Sequence, residues 1–348
     1  MEGRKGRVCV TGGTGYLASW LIKRLLQHGY SVNATVRPQR SGKKKDLSFL
    51  QNLGGASDRL RIFDADFENP DSFGAAIEGC VGVFHVAHPT DFPETETVES
   101  ISQKCVDATL GILRACVDSN TVKRVVYTSS LSTVAVREKL PDVVDEDVWS
   151  DVDFARNLSK TGASYFVSKT ATERAALEFA EKHCLEVVSV IPSWIHGPFI
   201  CPSLPRSVCS SLALFLGNER RIKHSTVTPM VHTDDVAMAH IHLFEHPQAR
   251  GRYLCSSVEV KYEYLREFLR RRYPHFLCSD EFLCRSSRVP AIPFTTISSK
   301  KLLGTGFTYK YGLEEMYDEA IQCCNFIECC KQKGFLCLYT AFQHPMLL

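Results

Sequence analysis

Long apolar runs are missing from this 348-residue sequence. None approaches the roughly 18–20 residues that a membrane-spanning helix requires. A surplus of one charge is missing as well. The formal charge of +2 leaves no basic stripe of the kind a general nucleic-acid binder carries. The opening segment MEGRKGRVCV runs straight into a strand-like stretch, without the apolar core and small-residue cleavage site of a secretory signal. A cytoplasmic protein is therefore expected, and the sequon at Asn157-Leu158-Ser159 reads as a chance match. Internal repeats and low-complexity tracts are absent, so neither organises the chain. The spacing C-x-x-C is absent too, although there are 15 cysteines. Most lie in apolar segments such as RVCVT and LRACVDS, which predicts reduced core thiols and not a disulfide framework. The adjacent pairs Cys323–Cys324 and Cys329–Cys330 make an awkward chelate, and no metal is expected. What remains, 44% hydrophobic and 23% charged residues, is ordinary globular composition.

Strand and helix patterns alternate through the first half. Strands are predicted over Arg7–Thr11, Ser31–Val36, Arg59–Asp66, Gly82–Ala87, Lys123–Ser130 and Glu186–Ile191. Between them fall helices over Tyr16–Gly29, Pro70–Ile77, Glu99–Ser119 and Ser164–His183. Apolar strands separated by helices imply a parallel sheet covered on both faces. The expected fold is α/β, a Rossmann-type doubly wound parallel sheet with a smaller C-terminal substrate-binding lobe. Regular alternation breaks at Pro192, where prolines 192, 198, 202 and 205 cluster. The division expected is residues 1–191 for a nucleotide-binding domain, 192–336 for a lobe interleaved with it, and 337–348 for a C-terminal extension.

The stretch VCVTGGTGYLAS sets three glycines between the first strand and the first helix. A tight turn there needs positive φ, which glycine tolerates. Bare backbone also lets the N–H groups and the helix N-terminus approach a pyrophosphate. The spacing Gly12-x-x-Gly15-x-x-Ala18, with Gly13 extra, has the strand before it and the helix after it that a dinucleotide turn requires. A carboxylate ending the second strand would select the ribose hydroxyl of NAD. None stands there. Arg37 does, followed by Arg40, Lys43, Lys44 and Lys45, and a guanidinium with nearby ammonium groups matches a 2′-phosphate. NADP(H) is the cofactor expected. Asp66 and Phe67, after the third strand, stand where an adenine would lie; Asp66 could equally cap a local turn.

Tyr165 and Lys169 are four apart, on one face of a predicted helix. An ammonium beside a phenol is expected to lower its pKa and suit it to give a proton to a carbonyl oxygen. Ser130 ends the fifth strand at the same sheet edge, where its hydroxyl could hold that oxygen as charge develops.

With these residues in view, the chain resembles the extended short-chain dehydrogenase/reductases, and among them the plant dihydroflavonol 4-reductase-like group. The likeness rests on CVTGGTGYLASWLIKRLLQHGYSVNATVR, GVFHVAHP, VVYTSS, YFVSKTATE, GPFICPSLP, VHTDDVAMAHI and SSKKLLGTGFTYKYGLEEMYDEAIQCC, and runs from about residue 6 to 336. It implies catalytic roles for Ser130, Tyr165 and Lys169, and a 2′-phosphate contact at Arg37 helped by Lys44. Cofactor contacts are implied along Gly12, Gly13, Thr14, Gly15, Tyr16 and Leu17, at Val86, Ala87 and His88, and at Pro192 beside the nicotinamide. His88 reads equally well as a packed histidine outside the chemistry. The activity implied is hydride transfer from NADPH to the ketone of a flavonoid- or isoflavonoid-like aromatic metabolite, giving a secondary alcohol.

Three positions depart from the group's pattern. Ala135 stands where dihydroflavonol reductases carry an Asn or Asp for the substrate's hydroxylated ring, Ala163 replaces a common Trp, and His88 a Thr or Ser. GASYF stands in place of the NWYCY of cinnamoyl-CoA reductases. Substrate contacts are expected at Ala135, Trp194 and Ile195, with Phe199 and His224 as further candidates. A sugar-nucleotide epimerase or dehydratase holding NAD, a reductase of another aryl carbonyl compound, and a non-enzymatic cofactor sensor remain alternatives. The expected partner is a small-molecule ketone, with no nucleic acid, and the assembly state stays open between monomer and weak homodimer.

Overall fold

Strand and helix alternate from the first residues described in the computed structural model, which covers 5–39, 45–90, 95–158, 160–212, 227–274 and 295–325. The main elements are β1 (Arg7–Val10), α1 (Tyr16–Gln27), β2 (Ser31–Val36), β3 (Leu60–Asp64), β4 (Gly82–His85), α2 (Val98–Asp118), β5 (Arg124–Thr128), β6 (Val143–Val144), α3 (Lys160–His183) and β7 (Glu186–Pro192). They continue with β8 (Trp194–His196), β9 (Val227–His232), α4 (Thr233–Glu245), β10 (Gly251–Cys255), β11 (Val258–Lys261), β12 (Thr296–Ile297) and α5 (Leu313–Asn325). Seven strands form one sheet in the order β10-β7-β5-β4-β1-β2-β3. Every pairing in it is parallel.

Side chains on a strand alternate between faces, and the two cores divide accordingly. Val8 and Val10 join the core under α1 and α4. Cys9, between them, joins the core under α2 and α3 with Ile112, Leu113, Ala176 and Ala180. The strand order reverses between β1 and β4. Successive strands leave that point in opposite directions, which opens a crevice at their carboxyl ends, where ligands of such sheets bind.

Beyond Pro192 the chain is more regular than its prolines suggest. After β8 and β9 it makes α4, packed beside α1, and returns to the main sheet as β10, parallel to β7. The helix is hard to read because its buried positions include Thr233, Asp234, Asp235 and His240 as well as apolar residues. Asp234 is satisfied by Trp20 Nε1 at 2.7 Å and by Arg24, whose Nη2 lies 2.6 Å away. Burial pushes its carboxyl up, but those donors prevail and hold it below the usual carboxylate range. Arg24 is partly exposed and can be hydrated once its partner is gone, but the Trp20 N–H is left without an acceptor. Asp234→Ala is expected to cost roughly 1–3 kcal/mol, read from urea denaturation at neutral pH. A loss below about 0.5 kcal/mol would contradict this account.

β8 and β9 pair in parallel, and β11 runs antiparallel to β9, making a small second sheet beyond the crevice. β12 pairs with β6. All ten cysteines among the described residues are free, and most are buried, as their apolar surroundings in the sequence predict. Cys329, Cys330 and the segment 337–348 lie outside the described residues. No helix among the described residues is long and apolar enough to cross a membrane.

Candidate active site

The glycine turn closes tightly on its neighbours. Gly13 N–H donates to the Thr35 carbonyl at 2.7 Å, and Gly12 N–H to Thr35 Oγ1 at 3.2 Å. Gly12 has φ +72°, and a Cβ there would stand 2.9 Å from the Ala87 Cβ, closer than two carbons can pack. Thr11 Oγ1 takes the N–H groups of Val86 and Ala87 at 3.1 and 3.0 Å, which locks the loop after β4 against the turn. The first turn of α1 has neither a capping side chain at Gly15 nor a carboxylate. Its end is thus left open to an external anion.

The basic side chains gather on the same side. Arg37 follows β2 directly and is exposed. Lys45 Nζ reaches Thr14 Oγ1 at 3.2 Å, and its pKa is lowered by burial and by the Arg37 charge. Lys44, Arg40 and Lys43 lie outside the described residues. A glycine cradle with an open helix end, two cations beside it and no carboxylate closing β2 fits a dinucleotide carrying a 2′-phosphate.

The second half of the crevice is built from β5 and α3. The Tyr165 hydroxyl lies near the Ser130 side chain, close enough for that hydroxyl to lower its pKa. Ser130 Oγ also accepts from Ser132 N–H at 3.2 Å, so the short helical turn after β5 fixes its direction. Lys169, buried one turn along α3, donates to the Thr128 carbonyl at 2.9 Å. The His88 ring meets the Tyr165 ring edge-on with centroids 5.9 Å apart, while its Nε2 lies 3.2 Å from Ser168 Oγ. His88 follows Ala87, the residue that crowds Gly12. Tyr165 therefore lies across the crevice from the glycine turn, at one rim of the sheet.

The electrostatics differ from what spacing alone predicts. Burial raises the Tyr165 pKa, and the Ser130 hydroxyl opposes that rise. The expected lowering by Lys169 is not found, because its ammonium is turned to the Thr128 carbonyl. Burial also lowers Lys169 itself to about 8, against the opposing charge of Glu173. Tyr165 thus holds its proton at neutral pH. His88 is driven well below its ordinary value by burial and by Lys169, and stays neutral.

The remaining expected site residues distribute as follows. Tyr16 uses its side chain on the second lobe: its hydroxyl donates to the Gly197 carbonyl at 3.1 Å and also meets Thr233 Oγ1. Leu17 is buried in the core. Asp66 Oδ1 accepts from Glu68 N–H at 3.2 Å in a local turn, and Phe67 packs on Phe73 and His85. Pro192 ends β7 opposite Cys255. Ala135 packs with Leu131 on the small core of Val134, Val144, Ile191 and Leu254. Trp194 is 41% exposed, its indole N–H held by Ser211 Oγ at 2.8 Å and the Ser207 carbonyl at 3.1 Å. Ile195 packs instead on the core beneath α1 and α4. Phe199 is buried in the second lobe, and His224 lies outside the described residues. Sequence reading misses Thr11, Thr35 and Glu173. Glu173 alone left a sequence signal, the repeat of the Tyr165–Lys169 spacing one turn on.

The family described as the NAD dependent epimerase/dehydratase family matches residues 8–255, and the chain belongs to it. It is an extended short-chain dehydrogenase/reductase, as its motifs predict. In particular, it is similar to vestitone reductase of Medicago sativa, 50% identical over 95% of this chain and 99% of that protein. It is also 44% identical to a dihydroflavonol 4-reductase of Zea mays, over 97% of this chain and 92% of that one. The crystal structure of alfalfa vestitone reductase superimposes with a TM-score of 0.81 at 47% identity, covering 95% of this chain and all of that one.

Proposed function

We propose that the protein is an NADPH-dependent reductase that converts the ketone of a flavonoid- or isoflavonoid-like aromatic metabolite into a secondary alcohol. The observation that carries this reading is the Tyr165 hydroxyl, kept protonated by burial and close to Ser130, at the rim that also bears the glycine turn. The substrate class is supported by the relatives named vestitone reductase and dihydroflavonol 4-reductase.

When bound, NADPH supplies the hydride. Gly12, Gly13 and Gly15 give its pyrophosphate bare backbone and an uncapped helix end, flanked by Thr14, Val86 and Ala87. Arg37 and Lys45 answer the 2′-phosphate, and Pro192 borders the nicotinamide side. Ser130 directs the ketone oxygen with its hydroxyl. Tyr165 then gives that oxygen its proton, and the pKa raised by burial keeps the proton in place until negative charge develops on the substrate. Lys169, anchored at the Thr128 carbonyl, is the residue that would hold the nicotinamide ribose, and His88 buttresses the phenol ring from the β4 side. Trp194 stands on the substrate side, where its exposed face offers an aromatic platform. Ala135 donates no hydrogen bond to a hydroxylated ring, which favours a less hydroxylated ketone over a dihydroflavonol. The free thiols suit a reducing cytoplasm.

Purified protein is expected to oxidise NADPH only when a ketone is supplied. A panel of isoflavanones, dihydroflavonols and aryl aldehydes, followed by NADPH absorbance, checks this. Turnover of a sugar nucleotide without net loss of NADPH would overturn the reading, as would cofactor binding with no turnover of any carbonyl compound.

A further inference from the structure

A buried charge pair behind Ser130 and Lys169 takes no part in the scheme above. Glu173 is fully buried on α3, one turn past Lys169. Its Oε2 accepts from Ser129 Oγ at 2.8 Å, and its Oε1 from Ser189 Oγ at 2.5 Å. Arg252, buried on β10, donates to the same carboxylate from Nε at 3.1 Å and from Nη2 at 3.3 Å. Its other bonds go to Thr133 Oγ1 and to the carbonyls of Glu146 and Val148. Its guanidinium lies 3.6 Å from the centre of the Trp149 ring. The carboxylate thus ties four pieces of chain together: α3, the end of β5, β7 and β10.

Such a pair is poor evidence for stability, because desolvating two charges offsets their attraction, and apolar residues could fill the space. What it supplies is direction. Ser129 immediately precedes Ser130, so a bond from Ser129 to α3 fixes the Ser130 loop relative to the helix that carries Tyr165. Tyr165, Lys169 and Glu173 follow one another at intervals of four, in one row along that helix. We propose that Glu173 is a positioning residue for the reduction: its carboxylate aligns Ser130 with Tyr165 through Ser129 and sets a negative charge one helical turn from Lys169, with Arg252 as its counter-ion.

The other groups facing Lys169 cannot supply that charge. Cys105 of α2 has its thiol pushed up to about 11 by burial. Tyr127 of β5, whose ring centre is 5.4 Å from Lys169 Nζ, is raised well above its ordinary value by burial. His85 of β4 is lowered to about 3, and His88 in the loop after it is lowered well below its ordinary value, so both are neutral. Tyr165, one turn back, keeps its proton. Lys169 is left to lose its charge as pH rises through about 8, with Glu173 opposing the loss.

This inference rests on the reductase reading for its kinetic part only. Glu173→Gln is expected to lower kcat about 10- to 100-fold, the scale of a misaligned catalytic group, and to leave NADPH affinity and ketone KM unchanged. The alkaline limb of kcat should move to lower pH, by about one unit or more. Glu173→Asp should restore part of that shift. An independent readout is the titration of Lys169 in cofactor-free protein, followed by NMR of 13Cε-labelled lysine and assigned with Lys169→Met. It should move down in parallel. If the single variant does not fold, Glu173→Gln/Arg252→Gln leaves no lone buried charge, and the same shift is expected in it. A folded variant with unmoved Lys169 titration and an unmoved alkaline limb overturns the proposal, even if kcat falls. A wild-type protein that reduces no ketone would defeat the reductase reading, while the NMR titration would still decide whether the Glu173 charge acts on Lys169.

Discussion

Tyr165→Phe is expected to abolish ketone reduction, lowering kcat by about 100- to 10,000-fold, the range that a positioned proton donor contributes. The substitution removes one oxygen and leaves the ring against His88 and Phe166. Ser130 keeps its bond from Ser132 N–H, so the loop should hold its shape. The folding cost is at most that of a single hydrogen bond, about 1 kcal/mol. NADPH affinity, measured by its fluorescence on titration, should be unchanged, because the glycine turn and the basic cluster lie across the crevice. An enzyme that still turns over would mean that the proton comes from elsewhere.

Arg37→Asp is the second change expected to have a large effect. It replaces the guanidinium that follows β2 with the carboxylate that NAD-preferring turns carry there. A charge-assisted bond is worth roughly 1.5–3 kcal/mol, and the new carboxylate would also repel a phosphate dianion. The ratio of kcat/KM for NADPH over NADH should therefore fall about 100-fold or more. Lys45 at Thr14 remains and should keep residual NADPH activity. An unaltered ratio would show that the 2′-phosphate is held by other residues.

The sheet was legible where its strands are apolar and its helices amphipathic. Six of its seven strands appear in the sequence within a residue or two at each end, because burial on both faces demands continuous runs such as RVCV and EVVSVIP. The seventh, Gly251–Cys255, did not stand out. It follows a helix whose buried face carries two aspartates and a histidine, and that pattern blurs the periodicity from which helices are read. The site was legible to the same extent and for a related reason. Glycine at a turn and tyrosine four residues before lysine are local patterns. The state of Tyr165 is not local. It depends on how deeply the phenol is buried and on which acceptor captures the lysine, and Thr128 is 41 residues away in sequence.

The bond between Glu173 and Arg252 spans 79 residues, and that separation bears on how the protein is made. A ribosome releases the strand–helix repeats and all of α3 before it reaches the arginine. Until then the nascent chain carries the carboxylate without the guanidinium that donates to both of its oxygens. The tie that joins α3 to the end of β5, β7 and β10 is therefore completed only after β10 has emerged, at a late stage of synthesis.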